Sequence, residues 1–196
     1  REVFRRDLDV IMRFWRSPLP TVAAVHGYAV AGGCELAMAC DVTVAASDAR
    51  FGEPELRFGS GIAALLLPWL ANPKRAKEML LTGNDRISAE EACDLGIVNR
   101  VVPEGEHVER AMEIARTMAV MDRTAVGLTK QAINRSYDIM GMQVALESGL
   151  DAGVQIECAE TPERTRFNEI ARRNGLKAAV AWRERRFADN DDDGAP

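Results

Sequence analysis

Two histidines in 196 residues leave little from which to build a zinc site. The four cysteines, Cys34, Cys40, Cys93 and Cys158, form no CxxC pair that could supply the missing ligands. His26 stands before a tight turn and reads as a turn cap rather than a catalyst. No run is long and apolar enough to span a bilayer. Basic residues are not in excess: 25 Lys and Arg face 30 Asp and Glu, for a net charge of −5. That excludes the electrostatic footprint of a nucleic-acid binder. Gly27 and Gly32 have four residues between them, but Gly33 and Cys34 follow where a phosphate loop needs Lys and then Ser or Thr. GxGxxG is absent. GxSxG is absent too, although Ser60 lies between Gly59 and Gly61. There is no internal repeat, no signal-peptide pattern and no initiator Met, the first residue being Arg1.

What remains is a globular balance, 47% hydrophobic and 28% charged. The length suits one domain with an appendage. The cysteines read as buried, reduced thiols of a cytoplasmic protein, or of the mitochondrial matrix if the source is eukaryotic.

The first fifteen or so residues carry Val3, Phe4, Leu8, Val10, Ile11, Phe14 and Trp15 near a 3.6-residue period, an amphipathic helix stopped at Ser17-Pro18. Thr21 to Val25 reads as a strand, Ala29 to Gly33 as a small-residue turn, Cys34 to Cys40 as a buried helix and Val42 to Ala46 as a second strand. Ser47 to Arg57 reads as a loop. Ile62 to Trp69 is an apolar run that either lines the site or is plain core. Pro73 to Leu81 is a helix with Pro first. Ser88 with Glu91 forms a capping box whose short helix ends at Gly96. Ile97 to Val102 is a short strand. Helices follow at 107–121, 124–139, 142–161, 162–174 and 176–187. The expected division is an α/β region over 1–103, a helical oligomerisation region over 104–188 and an acidic tail over 189–196, disordered from Asn190.

The stretch Thr21 to Glu55 carries the chemistry. Glu35 sits in the first turn of a helix apolar nearly all round, and a buried carboxylate is costly unless it is paired or functional. Glu55 follows a proline beyond the next strand, with Glu53 two residues before it. Spacing alone does not choose between Glu53 and Glu55. The Gly32-Gly33 pair offers bare N–H groups at a helix start, where an anion can be held. Carboxylates beside an anion hole suit acid–base work next to a carbonyl.

Val22-Ala23-Ala24-Val25-His26-Gly27, then Ala31-Gly32-Gly33, then Met38-Ala39-Cys40-Asp41-Val42 resembles the signature of the enoyl-CoA hydratase/isomerase (crotonase) family. The similarity continues through Ala49 to Glu55, Leu81-Thr82-Gly83, Ala89 to Ala92 and Leu95 to Pro103, and Ala179 to Phe187 looks like the family's closing helix. The resemblance implies an α/β fold, a crotonase-like spiral of ββα units with C-terminal helices that build trimers, often paired into hexamers. It implies hydration of an enoyl-CoA thioester, with Gly32 in the oxyanion hole, Glu35 as base and Glu55 as acid. Ala31, Gly33, Gly61, Arg183 and Phe187 would contact the acyl-CoA, the last two from a neighbouring subunit. No cofactor, metal, nucleic acid or membrane is implied. A Δ3,Δ2-enoyl-CoA isomerase and a catalytically silent homologue are the alternatives; Glu35 speaks against the first, and the acidic charge and both glutamates against the second. The resemblance also implies a preceding segment with the second oxyanion donor, so the 196 residues alone are expected to be insoluble or inactive. The stretch after Glu55 is shorter than the family's Gly-rich run. Trp182 stands where the family commonly has a basic residue, with Arg183 and Arg185 nearby.

Overall fold

The computed structural model describes residues 1–159 and 161–191. Helix α1 (Glu2–Trp15) buries Leu8, Ile11 and Met12 and leads through the Ser17-Pro18 stop into β1 (Val22–Val25). Strand β2 (Tyr28–Val30), helix α2 (Gly32–Ala39), β3 (Val42–Ala46) and β4 (Arg50–Gly52) follow. A 3₁₀ turn over Glu55–Phe58, then α3 (Leu67–Leu70) and α4 (Pro73–Thr82), lead to β5 (Ile87–Ser88), α5 (Ala89–Asp94) and β6 (Arg100–Val102).

The strands sort alternately into two sheets. Strands β1, β3 and β6 form one, all parallel. Strands β2, β4 and β5 form the other, with β2 and β4 parallel and β5 antiparallel to β4. Each turn of chain gives one strand to each sheet, which is a spiral. Two expectations change here. Part of the small-residue turn is strand β2, and the loop after β3 contains β4. Both pair through backbone alone, Tyr28 opposite Arg50 and Val30 opposite Gly52, and backbone pairing needs no bulky side chain to advertise it in sequence.

The local signals explain the helix ends. Asn72 Oδ1 accepts from the Lys74 N–H at 3.0 Å, with Pro73 at the first helical position. Ser88 Oγ accepts from the Glu91 N–H at 3.1 Å, and Gly96 follows with φ +86°.

After β6 come α6 (His107–Ala119), α7 (Arg123–Ile139), α8 (Met142–Cys158), α9 (Pro162–Asn174) and α10 (Leu176–Asp191). Helix α10 runs past Phe187 to Asp191. The expected tail is therefore helical where it begins, and its last five residues, 192–196, lie outside the described residues. These helices are less separate than a boundary at 103 suggests. Helix α6 packs on β1 and β3, and α8 packs on α1, with the Phe4 ring against Gly153 and Arg5 paired with Glu147. Asp41 binds the Thr21 N–H at 2.7 Å and Lys130 Nζ of α7 at 2.7 Å, while Lys130 also donates to the carbonyls of Phe14 and Leu19. One ion pair thus ties the ends of α1, α2 and β1 to α7. Among the described residues no helix is long and apolar enough to cross a membrane. The cysteines are free, but only Cys34 is fully buried. Cys158, near the end of α8, is exposed, which corrects the expectation of a buried thiol there.

Candidate active site

The chain enters the site through Ala31, whose backbone adopts φ 54° and ψ −132°, the one positive φ at a non-glycine residue among those described. Its N–H is taken by the Gly52 carbonyl at 2.8 Å, and its carbonyl accepts from the N–H groups of Cys34 and Glu35 at 2.8 and 3.0 Å. The N–H groups of Gly32 and Gly33 find no acceptor among the described residues, as the first donors of a helix must unless something caps them. Helix α2 itself is short and buried along Cys34, Ala37, Met38 and Ala39.

That burial carries Glu35 inward to 2% exposure. Its Oε1 accepts from the Ala64 N–H at 2.6 Å, and its Oε2 lies 4.0 Å from where a Cβ on Gly32 would stand. Burial dominates its acidity and pushes it up to about 8; the Ala64 N–H opposes the rise and the charge of Glu55 adds to it. Glu55 opens the 3₁₀ turn and is 8% exposed, not the solvated loop glutamate its setting suggests. Burial raises it too, while its own N–H and Glu53 hold it down.

A cavity of about 570 Å³ joins these groups. Gly32, Glu35 and Glu55 line it together with Gly61, Ala63 and Asp7. The loop at Gly61 is pressed against α8 so closely that a Cβ there would stand 2.4 Å from the Gly153 Cα. Glu157, one turn further along α8, holds the same loop. It accepts from Ser60 Oγ and, at 3.4 Å, from the Gly61 N–H, and is itself bound by Arg164.

The structure therefore brings Gly32, Glu35, Glu55 and Gly61 to one cavity, with Ala31 directly behind. Gly33 is exposed and does not line it. Arg183 and Phe187 do not reach it within one chain. Arg183 is 7% exposed and pairs with Glu184 and Asp85. The Arg57 guanidinium lies over the Phe187 ring, 4.6 Å from its centroid, in a separate cleft of about 590 Å³ lined also by Arg75, Arg86 and Arg185 and by Glu78, Glu91 and Glu184. The apolar run after Glu55 divides. Ala63 faces the cavity, whereas Ala64, Leu66 and Leu67 are core. Sequence reasoning left Glu53 open. It is 1% exposed and sits behind Glu55 against Cys34. No alternation marks it in the sequence: Glu53 lies just past the end of β4, in a stretch, 51–55, that is buried throughout. Among the described residues no group of three or more His, Cys, Asp or Glu side chains is arranged to hold a metal ion.

A two-sheet spiral of ββα turns closed by C-terminal helices, with two buried carboxylates beside the free N–H groups of a helix start, defines the crotonase class of fold. The chain belongs to the enoyl-CoA hydratase/isomerase family, whose model matches residues 2–172. It is 37% identical over 185 residues to the short-chain-enoyl-CoA hydratase of Clostridium acetobutylicum, covering 90% of this chain and 66% of that one. It is 41% identical over 134 residues to the crotonyl-CoA hydratase of Syntrophomonas wolfei, covering 67% and 49%. The crystal structure of an enoyl-CoA hydratase/isomerase from Xanthobacter autotrophicus Py2 superposes with a TM-score of 0.92 at 50% identity, covering 95% of this chain and 69% of that one. The chain spans about half to two thirds of the length of these curated relatives.

Proposed function

We propose that the protein is an enoyl-CoA hydratase that adds water across the C2=C3 bond of an enoyl-CoA thioester. The observation that carries this reading is the convergence of Glu35, Glu55 and the uncapped start of α2 on one cavity. The Gly32 N–H would donate to the thioester oxygen, and the positive end of α2 would stabilise the enolate that forms when water attacks C3. One glutamate would take a proton from that water and the other would deliver one to C2.

The resemblance assigns Glu35 as base and Glu55 as acid. Burial pushes Glu35 up to about 8, so it holds its proton at neutral pH. The assignment therefore requires the proton to pass from Glu35 to Glu55 as the thioester docks. Because the two carboxyls interact, they titrate as a pair.

Asp7 and Ala63 line the cavity near Glu35 and bear on the acyl group. Phe187 and its arginine-lined cleft would meet the coenzyme A of a neighbouring subunit, the cations suiting its phosphates. No cofactor is required beyond the substrate's own coenzyme A.

The test is to incubate the natural-length protein with crotonyl-CoA and follow loss of the conjugated thioester absorbance, with a Δ3-enoyl-CoA in parallel. Hydration of the first supports the proposal. Isomerisation of the second without hydration, or no reaction with either, would refute it.

A further inference from the structure

Glu53 ends its turn of the spiral in a place that tolerates no charge. It is 1% exposed, and neither carboxyl oxygen meets a donor among the described residues. The carboxyl lies against two groups, the Cys34 thiol and the Glu55 carboxyl. Glu55 Oε2 is likewise buried without a donor. As a carboxylate, Glu53 would be an uncompensated buried anion facing a second one, with Glu35 close by as a third, an arrangement that burial and like charge both oppose. As a carboxylic acid it gains one O–H donor, and the unpartnered oxygen of Glu55 is the acceptor in reach.

We infer that Glu53 is a positioning residue that stays protonated and donates its O–H to the Glu55 carboxylate, fixing that group's orientation toward the cavity. Burial and the charges of Glu55 and Glu35 all act to keep the proton on Glu53. The titratable groups around it are Cys34 and Glu35 of α2 and Glu55 of the 3₁₀ turn, with Asp7 of α1 acting on Glu35. Burial keeps Cys34 a neutral thiol, and its S–H, facing Glu53, is the one neighbour that opposes burial and like charge by favouring the Glu53 carboxylate. A hydrogen bond from a neutral acid favours the ionised form of its acceptor. Glu53 thereby leaves Glu55 more easily ionised than burial alone would allow, ready to take up the proton that leaves Glu35 and then deliver it to C2 as the acid.

The inference rests on Glu55 being part of a working site, and the experiment separates the two claims. The first measurement needs no activity. Infrared difference spectra at neutral pH should show carbonyl stretches of two buried protonated carboxylic acids, one that disappears in Glu35→Gln and a second that survives in Glu35→Gln and disappears in Glu53→Gln. An unchanged spectrum in Glu53→Gln overturns the inference even if the protein is an active hydratase.

The second measurement uses crotonyl-CoA kinetics. Glu53→Gln keeps a donor toward Glu55 and should keep most of kcat. Glu53→Leu fills the same space without a donor and should lower kcat by about ten- to a hundred-fold, the range for a hydrogen bond to a charged group. It should leave KM nearly unchanged and move the Glu55 limb of the pH profile upward. Equal kcat and an equal pH profile in a folded Leu variant overturn the inference, as does a Gln variant as impaired as Leu. If the parent protein itself has no activity, the hydratase proposal fails and the infrared result alone decides the role of Glu53.

Discussion

Glu35 shows how a single side chain can serve the site at the expense of stability. Its pKa rises from an ordinary 4.5 to about 8 because the folded chain removes it from water. Below about pH 4.5 it is protonated folded or unfolded. Between about 4.5 and 8 the unfolded chain loses the proton while the folded chain keeps it, so this contribution to stability declines as pH rises through that window and is flat above it. The urea midpoint should fall from about pH 5 to 8, and Glu35→Gln should flatten part of the fall. A residual slope remains because Glu53 and Glu55 are raised in the same direction. Parallel curves for the parent and Glu35→Gln would contradict the assigned cause. Glu35 was legible in sequence because a carboxylate in an apolar helix is conspicuous. Glu53 and Glu55 were not separable by spacing, since only the path of β4 and the 3₁₀ turn shows that one lines the cavity and the other lies behind it.

At the scale of elements, the stretch after Glu55 decides the shape of the cavity. Its apolar character was plain, but a run without period does not say which residues face a cavity and which face the core. Leu66 is fully buried and absent from the cavity wall. Leu66→Ala should therefore cost about 2–5 kcal/mol of stability, the range for a buried leucine, with unchanged preference among acyl chain lengths. A shifted preference at unchanged stability would place Leu66 in the pocket after all. The Gly61 loop tells the opposite story. A Cβ at Gly61 would meet the Gly153 backbone at 2.4 Å, so Gly61→Ala must push the loop off α8 and move the Ala64 N–H away from Glu35. KM for crotonyl-CoA should rise and kcat should fall, as expected when a positioning contact is displaced by about 1 Å. Unchanged kinetics would show that the loop does not position the site. The helices α4 and α5 were readable from Asn72-Pro73 and Ser88 because capping is local chemistry. Strands β2 and β4 were not, because what makes them strands is each other.

Across the whole molecule, the helical region presents apolar side chains that one chain does not cover. Val120 is 83% exposed, Ile139 76%, Val144 75% and Leu128 60%, more than scattered surface apolar residues require. Light scattering at micromolar concentration should report a trimer or a pair of trimers, and a stable monomer would contradict this reading. The change from mixed elements to helices after β6 was legible in the sequence, but not the packing of α6 on the sheet or of α8 on α1, which depends on which faces the spiral leaves open. The central claim is that Glu35 and Glu55 act together on one thioester in one cavity. The most direct test is a double-mutant cycle on crotonyl-CoA hydration with Glu35→Gln, Glu55→Gln and the pair. Each single change should lower kcat by about 10² or more, and the pair should fall far less than the product of the two, because one transition state uses both groups. Losses that multiply in full would contradict a shared acid–base unit.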